Sequence, residues 1–209
     1  MSRLRATSSL VTVLCLAGTF AVIPSGLQGQ VAYPEKEVLV HDLPVLVARS
    51  SDPTDVVKTS LDIIIHKKSV CCGKDSALED SVERADPKSL KDVAEKLKGR
   101  QLLSDGRPIA VTTEFLTAAE VNAGHIIYML ENQHAPLMEW NSQVYVVRGV
   151  TYVESEYNAE GSISKLFTIH AFLLEDVRYS GARRQVVFDR TKENAGQVQG
   201  FLSVAWQMQ

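Results

Sequence analysis

Apolar residues recur at helical spacing in several stretches of the first 132 residues. One helix is predicted from Asp52-Pro53, and another over the segment that carries Cys71 and Cys72. A third follows Asp86-Pro87, and a fourth spans Thr117–Asn132. Each pattern places apolar side chains on one face and polar ones on the other, as in helices that pack on a core.

Alternating and continuous apolar runs replace this spacing after residue 135. A tight turn is predicted at Asn141-Ser142, and shorter extended segments at Val38–Val40, Val45–Val47 and Pro108–Thr113. The other predicted strands are Pro136–Trp140, Gln143–Val153, Ile163–Leu174, Gln185–Phe188 and Phe201–Trp206. Helices that come early and strands that come late predict an α+β domain with an antiparallel sheet.

The strand predicted from Gln143 is apolar on both faces. Val144 and Val146 occupy one face, while Tyr145 and Val147 occupy the other. A strand buried on both sides belongs in the middle of a sheet.

The amino terminus has the order of a secretory signal. A charged start is followed by an apolar run from Leu10 to Ile23 and a break at Pro24. We therefore expect residues 1–30 to be a signal peptide and residues 31–209 to form a single domain. No second apolar run is long enough for a stable membrane span, so we expect an exported protein, periplasmic or extracellular.

The net charge and the glycine spacing each argue against one class of ligand. The net charge of −3 and a pI near 6.0 give no reason to expect nucleic acid as a partner. No glycine-rich phosphate loop is present, so we predict no cofactor.

Only Cys71 and Cys72 remain after signal removal. Neighbouring Cα atoms lie about 3.8 Å apart, below the usual disulfide range, so a bond between the two would be strained. The pair is a strained disulfide, a buried thiol pair or a reactive site. A zinc site is disfavoured because structural sites separate their cysteines, and we predict no metal.

A position at the amino end of the predicted cysteine helix favours a reactive thiolate, since unpaired N–H groups and the helix dipole stabilise negative charge there. Three motifs accompany it: Cys-Cys-Gly-Lys-Asp-Ser-Ala-Leu from Cys71, Leu-x-x-Gly-Arg-Pro-Ile from Leu103, and Pro-Leu-Met-Glu-Trp before a valine-rich strand that ends at Gly149. Together they resemble the papain-like cysteine peptidase fold, and more closely its bacterial double-glycine peptidase relatives. The resemblance covers most of the mature chain in the order of its elements.

The resemblance implies a cysteine helix packed on an antiparallel sheet, with Cys72 as the nucleophile and Asp176 as the orienting acid. The position of the family's catalytic histidine is Gln143. Glutamine cannot shuttle a proton near neutral pH, and loss of base catalysis costs roughly 10²–10⁴-fold in rate. We therefore expect an inactive relative that binds a peptide or an envelope partner through the former active-site cleft.

Two alternatives stay open. In the first, the chain is an active thiol hydrolase or transferase whose base is His66, close to the cysteines, or His170, inside a predicted strand. In the second, Cys71 and Cys72 have a redox or structural role. If Asp176 is not catalytic, we expect it to form a surface ion pair with Arg178.

Overall fold

The computed structural model describes residues 33–68, 89–102, 108–159, 162–190 and 198–208. Residues 33–209 form one compact unit. The helices described are α1 (Pro53–Lys68), α2 (Leu90–Leu97) and α3 (Ala123–Glu131), with a short 3-10 helix at Gly181–Arg184. The strands are β1 (Glu35–Leu39), β2 (Gly99–Leu102), β3 (Pro108–Thr117), β4 (Leu137–Trp140), β5 (Gln143–Ala159), β6 (Ser162–Glu175), β7 (Gln185–Asp189) and β8 (Val198–Met208). The domain is thus α+β, as predicted.

The eight strands form one antiparallel sheet, in which seven follow the order β2-β3-β8-β4-β5-β6-β7 and β1 pairs with β5. Along one edge of β5, residues 143–146 pair with β4 and residues 149–153 pair with β1, while the other edge pairs with β6. Val144, Tyr145, Val146 and Val147 are all buried. The prediction of a central strand that begins at Gln143 is confirmed, although β5 continues past Val153 to Ala159.

The sheet is strongly curled. β4 and β7 are three strand steps apart, which corresponds to about 14 Å in a flat sheet. Yet the rings of Trp140 on β4 and Phe188 on β7 are centred 4.7 Å apart, and Phe172 on β6 and Phe201 on β8 are 5.4 Å apart. Apolar burial explains the curl, since these aromatic side chains fill the concave side.

Helices α1 and α2 pack with the apolar faces that the sequence predicts. Buried residues of α1 include Val56, Val57, Leu61, Ile64 and Ile65, and those of α2 are Leu90, Val93, Ala94 and Leu97. The hydroxyl of Thr113 on β3 donates to the Ala94 carbonyl at 2.6 Å and attaches α2 to the sheet. No helix in the described ranges is long and apolar enough to cross a bilayer.

Two helix starts were predicted too early. Helix α2 begins at Leu90, where Ser89 accepts a hydrogen bond from Asp92 N, and not directly after Asp86-Pro87. Helix α3 begins at Ala123 with Asn122 as its cap, because Thr117 still belongs to β3. In both cases a polar side chain that accepts a backbone N–H sets the true start.

The strand predicted at Val45–Val47 is wrong. This segment forms no strand, and the side chain of Val45 is 77% exposed. Pro44 lacks a backbone donor, and Asp42 has a φ of +57°, so the chain leaves the sheet after β1. The segment instead attaches to the chain after β6, where Ala48 N donates to Val177 O at 2.8 Å.

Gly149 allows β1 to lie against β5. A Cβ at this position would lie 2.5 Å from Cδ2 of Leu39 and would also overlap the carbonyl oxygen of Val38. Both neighbours belong to β1, and the Val38 atom is part of the backbone, which cannot rotate away. Only glycine fits at this close approach of β1 and β5 without separating the two strands.

The change Gly149→Ala should therefore lower the free energy of unfolding by about 3 kcal/mol, because the new methyl group must displace backbone. Urea unfolding followed by circular dichroism measures this. The control is Thr151→Ala, two residues along the same pairing, which adds no atom and should cost about 1 kcal/mol or less. Equal stability of the two variants would show that β1 is not held as described.

Candidate functional site

Gln143 is the first residue of the central strand and follows the turn that the sequence predicts. Asn141 and Ser142 form this turn with φ values of +52° and +57°. Two consecutive residues with positive φ connect β4 and β5 by the tightest type of hairpin, so Gln143 lies directly opposite Trp140. The backbone at Gln143 is therefore fixed by the turn and by its pairing with Trp140.

A chain of hydrogen bonds runs from Gln143 to Asp176. The Tyr145 hydroxyl donates to Gln143 Oε1 at 3.0 Å and accepts from Arg178 Nη2 at 3.2 Å. Arg178 in turn donates from Nε to Asp176 Oδ1 at 2.7 Å and from Nη2 to Oδ2 at 2.5 Å. Asp176, which follows β6, thus orients the residue at the start of β5 through two intermediate side chains.

The predicted ion pair between Asp176 and Arg178 is present, but the prediction that it lies on the surface is wrong. The side chain of Asp176 is 3% exposed and that of Arg178 is 14% exposed. The backbone explains this burial, because Arg178 N donates to Asp176 Oδ1 at 3.0 Å and turns both side chains inward. The bidentate Asp176–Arg178 pair is therefore the buried end of the hydrogen-bond network, and Gln143 is the other end.

Two pKa shifts fix the protonation states of Tyr145 and Arg178. Burial raises the pKa of Tyr145, although the bond from Arg178 opposes this, so the hydroxyl keeps its proton and donates to Gln143. The hydrogen bonds to Asp176 raise the pKa of Arg178, which stays a cation. Gln143 has no titrating group, so the cleft side of the network does not exchange protons near neutral pH.

Gln143 lines a cleft of about 150 Å³. The cleft lies between the start of α1, the start of α2 and the β4–β5 turn, and Arg178 also lines it. Its apolar lining consists of Pro53, Val56, Val57 and Val144, and its polar lining of Ser51, Ser89, Glu139, Ser142, Gln143 and Arg178. The lining therefore combines apolar surface with six polar residues, and polar groups that converge on a pocket can orient a ligand.

The start of a helix faces Gln143, and that helix is α1. Ser51 and Pro53 at its amino end line the same cleft as Gln143. The start of α2 is closed by Glu139, whose Oε2 accepts from Leu90 N at 3.2 Å. A carboxylate is well suited to this position, because the helix dipole favours negative charge there.

The residues predicted for the site fall into three groups. Gln143 and Asp176 are brought together by the network. His170 is separate, since it is 41% exposed on β6 and its Nδ1 lies 3.2 Å from Glu35. Cys71, Cys72 and the side chain of His66 lie outside the described residues, so their roles stay predictions.

Sequence reasoning missed the link between the two predicted residues. Tyr145 is two residues from Gln143 on the same strand, and Arg178 is two residues from Asp176. Alternation along a strand places residues i and i+2 on one face, which was the available signal for Tyr145. Within the described ranges, no three imidazole, thiol or carboxylate groups come together as metal ligands.

Comparison with known proteins identifies no relative: no protein-family model matches the sequence, and a search of curated proteins finds no significant match.

Replacement of Asp176 tests the network. Asp176→Asn should lower the free energy of unfolding by about 3 kcal/mol, because it leaves the Arg178 guanidinium partly buried without its carboxylate. Urea unfolding measures the loss. In the matched variant Tyr145→Phe the ion pair survives and only one hydroxyl is lost, so the expected cost is about 1 kcal/mol. A cost for Asp176→Asn no larger than for Tyr145→Phe contradicts this assignment.

Proposed function

We propose that this chain is an exported papain-like protein that has lost peptidase activity and binds a peptide segment in the cleft at Gln143. The observation that carries the proposal is the position of Gln143, which opens the central strand and faces the start of a helix across the cleft. In the papain-like family that it resembles, the histidine begins such a strand. Here a residue that cannot act as a base is held in that place by Tyr145.

The chemistry of the cleft supports binding. Gln143 uses its oxygen in the bond from Tyr145, and its amide nitrogen has no partner among the described residues. That amide is therefore available to donate to a ligand carbonyl, which every peptide offers. Val56, Val57 and Val144 supply apolar surface for a side chain beside it.

The described residues that line the cleft also argue against thiol hydrolysis there. Of the described residues that line the cleft, none is a cysteine or a histidine, and the helix that faces Gln143 starts with Ser51 and Pro53. Thiol hydrolysis needs a thiolate and a base within hydrogen-bond reach. The helix start and the strand start that would supply them hold other residues.

Replacement of Gln143 by glutamate tests binding with almost no change in shape. Gln143→Glu keeps the oxygen that accepts from Tyr145 but exchanges the free donor for a second acceptor oxygen and adds a negative charge. We expect peptides selected on the full mature chain, for example from a random display library, to bind this variant at least tenfold more weakly, since an unpaired buried group costs about 1–3 kcal/mol. Isothermal titration calorimetry measures the ratio.

The matched control is Gln207→Glu, which makes the same exchange at another exposed position, on β8 and outside the cleft lining, and should leave affinity unchanged. Amide shifts on peptide addition should map to the Ser142–Val144 region. Equal weakening by both changes, or shifts elsewhere, would contradict the assignment of this cleft.

Thiol reactivity distinguishes the inactive relative from an active thiol hydrolase. We expect iodoacetamide to label Cys72 slowly at neutral pH, with a rate that rises toward the ordinary thiol pKa near 8.5. Changing His170 to Ala should have no effect, because His170 pairs with Glu35 away from the cleft. Mass spectrometry of the labelled peptide gives the rate at each pH.

Rapid stoichiometric labelling at neutral pH that is lost in His66→Ala would instead support the active enzyme. The control is His134→Ala, an exposed histidine after α3.

A further inference from the structure

A second cavity lies away from the Gln143 cleft. It encloses about 230 Å³ and is lined mainly by apolar side chains of β1, β6 and β7: Leu39, Leu173, Leu174, Val186 and Val187. Arg148 on β5 is the charged residue among the lining. Val187 is 63% exposed, so the cavity opens to solvent beside the edge strand β7.

The charge next to this cavity is positive and only partly neutralised. Glu175 accepts from Arg148 Nη1 at 3.3 Å and from Arg184 Nε at 3.1 Å, so two guanidinium groups share one carboxylate. Arg184 is 4% exposed, and its Nη1 has no hydrogen-bond partner within the described residues. Arg148 keeps 38% of its side chain exposed and has N–H groups to spare.

An apolar cavity with surplus guanidinium donors is complementary to one kind of ligand. A carboxylate can accept two N–H bonds from a guanidinium group, and an aliphatic chain gains free energy when the cavity removes it from water. The excess positive charge would repel a cationic ligand, and an uncharged ligand would leave the guanidinium donors without a charged acceptor.

We propose that this cavity binds an aliphatic carboxylate, with Arg148 holding the carboxylate and the Leu173–Val187 side of the cavity holding the chain. Two sources share this chemistry: a free fatty acid, and the carboxyl terminus of a peptide that ends in an apolar residue. The proposal is independent of the Gln143 cleft.

The test uses the full mature chain and three probes below their aggregation limits: decanoate, decanol, and an octapeptide that ends in valine. Methyl and amide NMR titrations should place decanoate or the peptide at Leu173 and Val187. Decanol has the same chain without the charge, and we expect it to bind at least tenfold more weakly than decanoate. Amidation of the peptide carboxyl terminus should weaken the peptide by a similar factor, and the stronger of the two acids identifies the source.

Arg148→Met should reduce the affinity for the bound acid about tenfold and leave the Glu175–Arg184 pair in place. Val187→Glu, at an exposed position, puts a like charge at the opening and should abolish binding. Arg183→Met removes an exposed charge nearby and should have no effect. Equal binding of decanoate and decanol, an unchanged affinity in Arg148→Met, or shifts confined to Gln143 and Val144 would overturn the proposal.

Discussion

The fold depends on the aromatic contacts that curl the sheet. Without them, β4 and β7 would lie about 14 Å apart, and the concave side would be open to water. Trp140, Phe172, Phe188 and Phe201 come from four different strands, and their packing connects the strands across the sheet as well as along it. Because Trp140 is directly opposite Gln143, the same packing fixes the β4–β5 turn and the cleft beside it.

Two neighbouring carboxylates at the end of β6 then join this core to both cavities. Glu175 binds Arg148 and Arg184, while Asp176 binds Arg178, so each carboxylate neutralises a different set of guanidinium groups. The two sets differ in net charge. Asp176 and Arg178 neutralise each other, whereas Glu175 is shared by two cations. The Asp176–Arg178 pair therefore adds no net positive charge to the Gln143 cleft, whereas the second cavity keeps an excess.

Periodicity predicted most of the fold because burial follows it closely. The apolar faces of α1 and α2 and the central position of β5 followed from side-chain spacing alone. The prediction of a strand at Val45–Val47 was wrong because strand propensity does not guarantee a pairing partner. The predicted start of α3 was wrong because Asn122, and not the apolar pattern, sets it. At the site, the resemblance predicted Gln143 and Asp176, but the role of Arg178 in linking them required three-dimensional contacts. The burial of the Asp176–Arg178 pair follows from a backbone bond that no spacing rule indicates.

The site is organised to hold a side chain still, and that has a chemical consequence. A general base has to change its protonation state during each turnover, which requires a group that titrates near the working pH. Three members of the Gln143 network are each fixed in one state, since Tyr145 keeps its proton, Arg178 keeps its charge and the Gln143 amide does not titrate. Rigidity of this kind adds affinity, because a preorganised donor loses little entropy when a ligand binds. The same constraints that remove a proton-transfer step from these residues thus make them better suited to recognition.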